Sequence, residues 1–350
     1  MERALLERSN FGALIAAMRK SAVVYAPSGD GGALPSFRPV SSEAEICLKQ
    51  PNTRLSAKGV FFPQRETLMG FDGSSLVEAP PDAAGALVVF GARPCDARSL
   101  TWLDRIFGGE APGPGAAVYR DPYYMERRRN ATIVSLACDE PCGSCFCTSV
   151  GGSPYGTDGA DVLASMTEKS EDAPILLEAV TSKGKDFLRF HAALLSPADD
   201  GDLRAREERA KAAASKMEVL DLGGLKEKAD AAFDSPVWET ITRGCLGCGA
   251  CTYLCPTCHC FDITDETLGS RGVRVRSWDS CQFPLFTLHA SGHNPRPTRA
   301  ARMRQRVMHK YSYAVETAGA AYCSGCGRCV RYCPVNLDIR QMLAALKETP

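Results

Sequence analysis

Eight cysteines in two matching runs constrain this chain more than any other feature. Cys245, Cys248, Cys251 and Cys255 are followed by Pro256, and Cys323, Cys326, Cys329 and Cys333 are followed by Pro334. Each run reads C-x2-C-x2-C-x3-C-P, the pattern that wraps a cubane iron–sulfur cluster in a two-cluster domain. Three thiols spaced by two residues let a short loop fold around one corner of a cube. The fourth lies beyond a turn and reaches the other cluster, and the proline ends the loop. This predicts interleaved ligand sets: Cys245, Cys248, Cys251 and Cys333 for cluster one, and Cys323, Cys326, Cys329 and Cys255 for cluster two. A single C-x2-C is common and can hold zinc. Two complete runs with both prolines point to 4Fe-4S clusters and one-electron transfer.

The chain has 350 residues, with Lys plus Arg equal to Asp plus Glu. That length suits two or three domains, and the charge balance gives no global pull toward nucleic acid or an anionic membrane surface. No apolar stretch is long enough to span a bilayer. The N-terminus is amphipathic, with Leu5, Leu6, Phe11, Leu14, Ile15 and Met18 at helical spacing, and it lacks the apolar core of a secretory signal. The expected location is the cytoplasm. The 17 cysteines sit mostly in tight groups, so metal ligation is expected rather than disulfides. So many thiols also imply an oxygen-poor setting.

The expected fold is an α/β N-terminal domain plus a C-terminal two-cluster ferredoxin-like α+β/helical domain with a long insertion. Strands are expected at 86–90, 132–136 and 175–177, with a helix from Ala97 to Ile106 between the first two. Residues 1–195 form the α/β domain on this reading. Residues 196–234 form a charged linker or solvated helices, and residues 235–350 the cluster domain. Ser235-Pro236 reads as the opening of a short helix before Cys245. The insertion runs from Cys258 to about Tyr322.

Cys95 follows the first strand, and Cys138, Cys142, Cys145 and Cys147 follow the second. Ligands collect at the carboxyl ends of strands in open α/β sheets, so these loops can converge on a third cluster. Buried thiols plus one zinc site are the alternative. Cys258, Cys260 and Cys281 are expected as packed thiols near cluster two, with ligation of another group as the alternative, and Cys47 as an ordinary core cysteine. Ser28-Gly29-Asp30-Gly31-Gly32 is a glycine-rich loop without a dinucleotide fingerprint. Arg296, Arg299, Arg302, Arg304, Arg306 and Lys310 read as a solvated basic face, or as a docking face for an acidic partner.

Several motifs together resemble one family. They are Phe61-Phe62-Pro63 with Glu66-Thr67-Leu68, Arg93-Pro94-Cys95-Asp96, Asp121-Pro122-Tyr123-Tyr124, Cys145-Phe146-Cys147, Cys255-Pro256-Thr257-Cys258 with Cys260-Phe261-Asp262, Trp278-Asp279-Ser280-Cys281, Gly292-His293-Asn294 and Met308-His309-Lys310. The sequence resembles the iron–sulfur beta subunit of soluble NiFe hydrogenases (sulfhydrogenases) and the A subunit of anaerobic sulfite reductase. That family has glycine where this chain has Cys142. The resemblance therefore implies Cys95, Cys138, Cys145 and Cys147 as ligands of the possible third 4Fe-4S cluster, with Asp96 as a substitute ligand. It also implies an electron relay, itself non-catalytic, between a flavin subunit that handles NAD(P)H and a catalytic subunit of NiFe hydrogenase, sulfite reductase or heterodisulfide reductase type. The alternatives are a flavin- or substrate-binding iron–sulfur enzyme acting alone, and a module that uses metal only to fold.

Overall fold

The computed structural model describes residues 2–29, 34–49, 51–78, 85–109, 119–170 and 172–349. Asp30, Gly31 and Gly32 of the glycine-rich loop lie outside the described residues. The strands, in chain order, are β1 (Arg3–Leu6), β2 (Val23–Ser28), β3 (Ser36–Pro39), β4 (Arg65–Asp72), β5 (Ser75–Glu78), β6 (Leu87–Ala92), β7 (Ala131–Leu136), β8 (Val162–Met166), β9 (Ile175–Ala179), β10 (Phe261–Leu268) and β11 (Arg271–Trp278).

A seven-stranded sheet runs in the order β1-β9-β8-β7-β6-β2-β3. Its centre is parallel, from β2 through β6 and β7 to β8. The outer strands β1, β9 and β3 are antiparallel to their neighbours. Every residue of β6 is buried, which is why its sequence is continuously apolar rather than alternating. On one face the helix Phe11–Arg19 packs Phe11, Leu14 and Met18 against Val88, Phe90 and Val134. On the other face the helix Pro94–Phe107 packs Leu100, Leu103 and Phe107 with Val89, Ile133 and Phe62. The amphipathic N-terminus departs from its expected helical period. Leu5 and Leu6 lie in β1, paired with Leu176 and Ile175, and the helix starts only at Phe11. Edge pairing to β9 outcompetes the weak preference of this short segment for helix.

The charged stretch after Ser196 forms the helix Asp200–Ser215, whose N-cap Asp199 accepts hydrogen bonds from the amides of Gly201 and Asp202. It is anchored to the sheet domain through Arg206–Glu178 at 3.0 Å and Arg209–Asp139 at 2.6 Å. Short helices Leu225–Ala231 and Val237–Ile241 follow, and the Ser235 hydroxyl accepts a bond from the Val237 amide. They join Met303, Val307, Met342 and Leu346 in a C-terminal core.

The long insertion contains the hairpin β10–β11, which pairs with β4 and β5 of the N-terminal half in a four-stranded sheet. A buried ion group fixes this junction. Glu66 on β4 meets Arg276 on β11 and Arg127 from the helix Pro122–Asn130, and Arg276 also meets Asp121. Among the described residues, no helix is long and apolar enough to cross a membrane.

Candidate iron–sulfur centres

The two cysteine runs adopt the same local fold. In C-L-G-C-G-A-C, Gly247 and Gly249 have φ of 68° and 75°, and in C-S-G-C-G-R-C, Gly325 and Gly327 have φ of 63° and 72°. These left-handed residues tighten each loop, and glycine takes that conformation without a Cβ penalty. Each loop then enters a single helical turn, Ala250–Tyr253 or Arg328–Arg331. The amides of Gly247 and Gly325 point at the thiols of Cys245 and Cys323, both at 3.4 Å, and the Leu337 amide points at Cys333 at 3.2 Å. Amide bonds of this kind favour thiolate over thiol, which suits metal ligation.

Cys245, Cys248, Cys251, Cys329 and Cys333 line one hollow. Cys255, Cys323, Cys326 and Cys329 line a second, together with Arg306 and Lys310. Each hollow thus includes cysteines of both runs: Cys329 and Cys333 reach the first, and Cys255 reaches the second. Among the described residues, no group of three His, Cys, Asp or Glu side chains closes on a single-ion point. The thiols stand around hollows instead.

A third hollow lies at the carboxyl ends of β6 and β7 and is lined by Cys95, Cys138, Cys145, Cys147 and Cys326. Adjacent parallel strands deliver the loops of Cys95 and Cys138 to one edge of the sheet. Arg93 holds the two loops together by donating to the Ala137 carbonyl at 2.5 Å. Burial pushes the Cys147 thiol up to about 11 and raises Cys95 well above the ordinary range, so these thiols stay neutral without a metal to stabilise the thiolates. The sulfurs of Cys142 and Cys145 lie in contact with each other.

The third hollow touches the second directly. The Phe146 amide donates to the Gly325 carbonyl at 2.8 Å, and a Cβ on Gly325 would stand 2.4 Å from Cys147 Cα. Asn52 donates to the Cys326 carbonyl at 2.9 Å. Asp96 departs from its expected part as a substitute ligand. Its carboxylate is held by both terminal nitrogens of Arg328, at 2.6 and 2.9 Å, with both side chains fully buried. That bidentate pair consumes the carboxylate and locks the cluster loop to the sheet domain.

The basic stretch also departs from expectation. Arg302, Arg306 and Lys310 are buried rather than solvated. They lie on the helix Arg299–Met308 and the π-helical turn His309–Tyr313 that continues it. Arg306 borders both ferredoxin-type hollows, and Lys310 donates to the Thr257 hydroxyl at 2.7 Å beside Cys255. Arg299 at the same helix donates to the Cys245 carbonyl at 2.7 Å. Spacing alone gave no sign that these cations face inward. The signal available was their nearness in sequence to Cys323 and the absence of acids among them.

The resemblance motifs fall mostly at the junctions. Phe62 packs against Phe107 and Trp278, and the Trp278 indole donates to the Phe62 carbonyl at 3.1 Å. Tyr123 donates to the Leu68 carbonyl, and Asp121 and Glu66 belong to the buried ion group described above. Asn294 braces its loop by donating to the Pro284 carbonyl at 2.6 Å. Cys47 is half-buried.

A family model described as a 4Fe-4S dicluster domain matches residues 244–337. The chain is 34% identical over 314 residues to the Sulfhydrogenase 2 subunit beta of Pyrococcus furiosus, covering 89% of each chain. The chain belongs to the sulfhydrogenase beta-subunit family and is an iron–sulfur electron-transfer subunit of an oxidoreductase complex.

Proposed function

We propose that the chain passes single electrons along three 4Fe-4S clusters, between a flavin subunit that oxidises NAD(P)H and a catalytic subunit of NiFe hydrogenase, sulfite reductase or heterodisulfide reductase type, in a cytoplasmic complex. The observation that carries the reading is the contiguity of three thiol-lined hollows. Cys329 borders the first and second, and Cys326 borders the second and third. Cluster one is assigned to Cys245, Cys248, Cys251 and Cys333, cluster two to Cys323, Cys326, Cys329 and Cys255, and cluster three to Cys95, Cys138, Cys145 and Cys147. The clusters supply the redox chemistry when bound. The chain supplies spacing, burial and N–H groups aimed at sulfur, which set potentials. The division into residues 1–195, 196–234 and 235–350 follows the same reading, with the outer clusters offering separate faces to donor and acceptor.

Anaerobic iron analysis of Cys333→Ala tests the interleaving. The variant should lose the cluster held by Cys245, Cys248 and Cys251 and keep the spectroscopic signature of the cluster that Cys323 holds. Loss of the Cys323 cluster with retention of the other overturns the assignment. Cys95→Ala should lower the iron content by about four per chain. An unchanged value returns Cys95, Cys138, Cys145 and Cys147 to buried thiols.

A further inference from the structure

The helix Arg299–Met308 runs through the π-helical turn His309–Tyr313 into the helix Ala314–Ala318. A π turn is rare and often marks a functional site, because its extra residue changes which side chains face inward. Here three consecutive polar residues, Lys310, Tyr311 and Ser312, are buried, at 4%, 2% and 1% exposure. In a regular helix three consecutive side chains sweep about 200° of the circumference, which is why an amphipathic helix seldom buries all three. Two of the three have partners. Lys310 donates to the Thr257 hydroxyl and the Tyr322 carbonyl, at 2.7 and 2.8 Å, and Ser312 donates to Asp230. Tyr311 has none: among the described residues its buried hydroxyl makes no hydrogen bond. The Cys323 thiol stands within its reach, although no bond between them is formed.

The main chain fixes this approach. The Tyr322 amide donates to the Lys310 carbonyl at 3.0 Å, and the Lys310 ammonium returns a bond to the Tyr322 carbonyl. Lys310 and Tyr322 are thus tied twice, and the next residues along the chain are Tyr311 and Cys323. Tyr311 belongs to the C-terminal core against which Cys323 and Cys329 pack. A buried hydroxyl without an acceptor is costly and calls for a physical reason. A neutral phenol is a ready donor, whereas a free thiol is a weak acceptor. A sulfur that carries negative charge is a much stronger one. The Cys323 sulfur becomes such an acceptor when it holds iron, which gives the hydroxyl its partner.

We propose that Tyr311 raises the reduction potential of cluster two by donating its hydroxyl to the Cys323 sulfur. This rests on the assignment of Cys323 to that cluster. An added electron makes the sulfur more negative and strengthens the bond, so the donor favours the reduced state. Tyr311→Phe keeps the ring and removes the donor. The full chain and its variants, produced and purified without oxygen, are titrated potentiometrically with electron paramagnetic resonance detection. Tyr311→Phe should keep its iron and sulfide content. The cluster whose signal changes or disappears in Cys323→Ser should become about tenfold harder to reduce, a fall of about 59 mV for one electron, while the other clusters hold their potentials. Ser312→Ala removes a buried bond of the same turn and should lower the melting temperature without that selective shift. An unchanged potential in Tyr311→Phe at full iron content overturns the proposal. So does an equal shift in Ser312→Ala, which would make packing the cause. If Tyr311→Phe does not fold, 3-fluorotyrosine in place of Tyr311, a stronger donor of nearly the same shape, should raise the same potential, and an absent rise overturns the proposal. A wild-type chain with no cluster on Cys323 overturns the relay reading and this proposal together, whereas an unmoved potential overturns this one alone.

Discussion

Arg306 shows how a single side chain changes meaning between sequence and structure. In sequence it belongs to a basic run that reads as a solvated face. In the fold it is buried, borders both ferredoxin-type hollows and donates to Cys258. The helix Arg299–Met308 has one face toward the C-terminal core and one toward the thiols, and which charges point inward depends on a partner surface that periodicity does not describe. A fixed positive charge beside a cluster stabilises its reduced, more negative state. Arg306→Gln is therefore expected to lower the reduction potential of at least one ferredoxin-type cluster, and Arg306→Lys to restore most of it. An anaerobic potentiometric titration checks this. An unchanged or raised potential in Arg306→Gln shows that the residue only fills space.

At the scale of elements, the cysteine loops were legible and the contact between them was not. The spacing of Cys323, Cys326 and Cys329 and the glycines between them specify a turn that wraps a cube. The parallel strands β6 and β7 place Cys95 and Cys138 together because both were readable as buried apolar runs ending in loops. What the sequence did not reveal is that the Gly325 loop presses on the Cys147 backbone. That contact joins segments far apart in the chain, and no periodic signal marks it. Gly325 has φ of 63°, and a Cβ there would sit 2.4 Å from Cys147 Cα and 2.5 Å from its nitrogen. Gly325→Ala should thus do two things. The positive φ costs more than about 1 kcal/mol, and the clash drives the two loops apart. Iron content should fall by about four per chain as the third set opens, with a lower melting temperature. A variant with full iron content and wild-type melting would mean that the loops tolerate separation, and that the third set does not depend on this contact.

For the whole molecule, the two halves are joined more thoroughly than a reading by segments suggests. The hairpin inside the cysteine-rich half completes a sheet with β4 and β5, the Glu66–Arg276–Asp121 group closes that junction, and Arg328–Asp96 closes another beside the second hollow. Such joints hold redox centres at fixed separation, as a relay requires. They also bear on what the chain can accept as a donor. In an open α/β sheet a dinucleotide sits where a glycine loop leads from a strand end into a helix. Here the end of β6 leads through Arg93 into Pro94 and Cys95, and Pro94 offers no N–H to a phosphate. Arg93 fills the crevice, donating to the carbonyls of Ala137 and Leu48 at 2.5 and 2.8 Å. The edge that could have cradled a pyrophosphate is instead given to thiols. The isolated chain is therefore expected to leave NADH unoxidised: under anaerobic conditions NADH alone should not bleach the cluster absorbance, whereas NADH with an added flavoprotein reductase, or dithionite, should. Rapid bleaching by NADH without a flavoprotein would place a nicotinamide site in this chain and overturn its assignment as a relay fed by a separate flavin subunit.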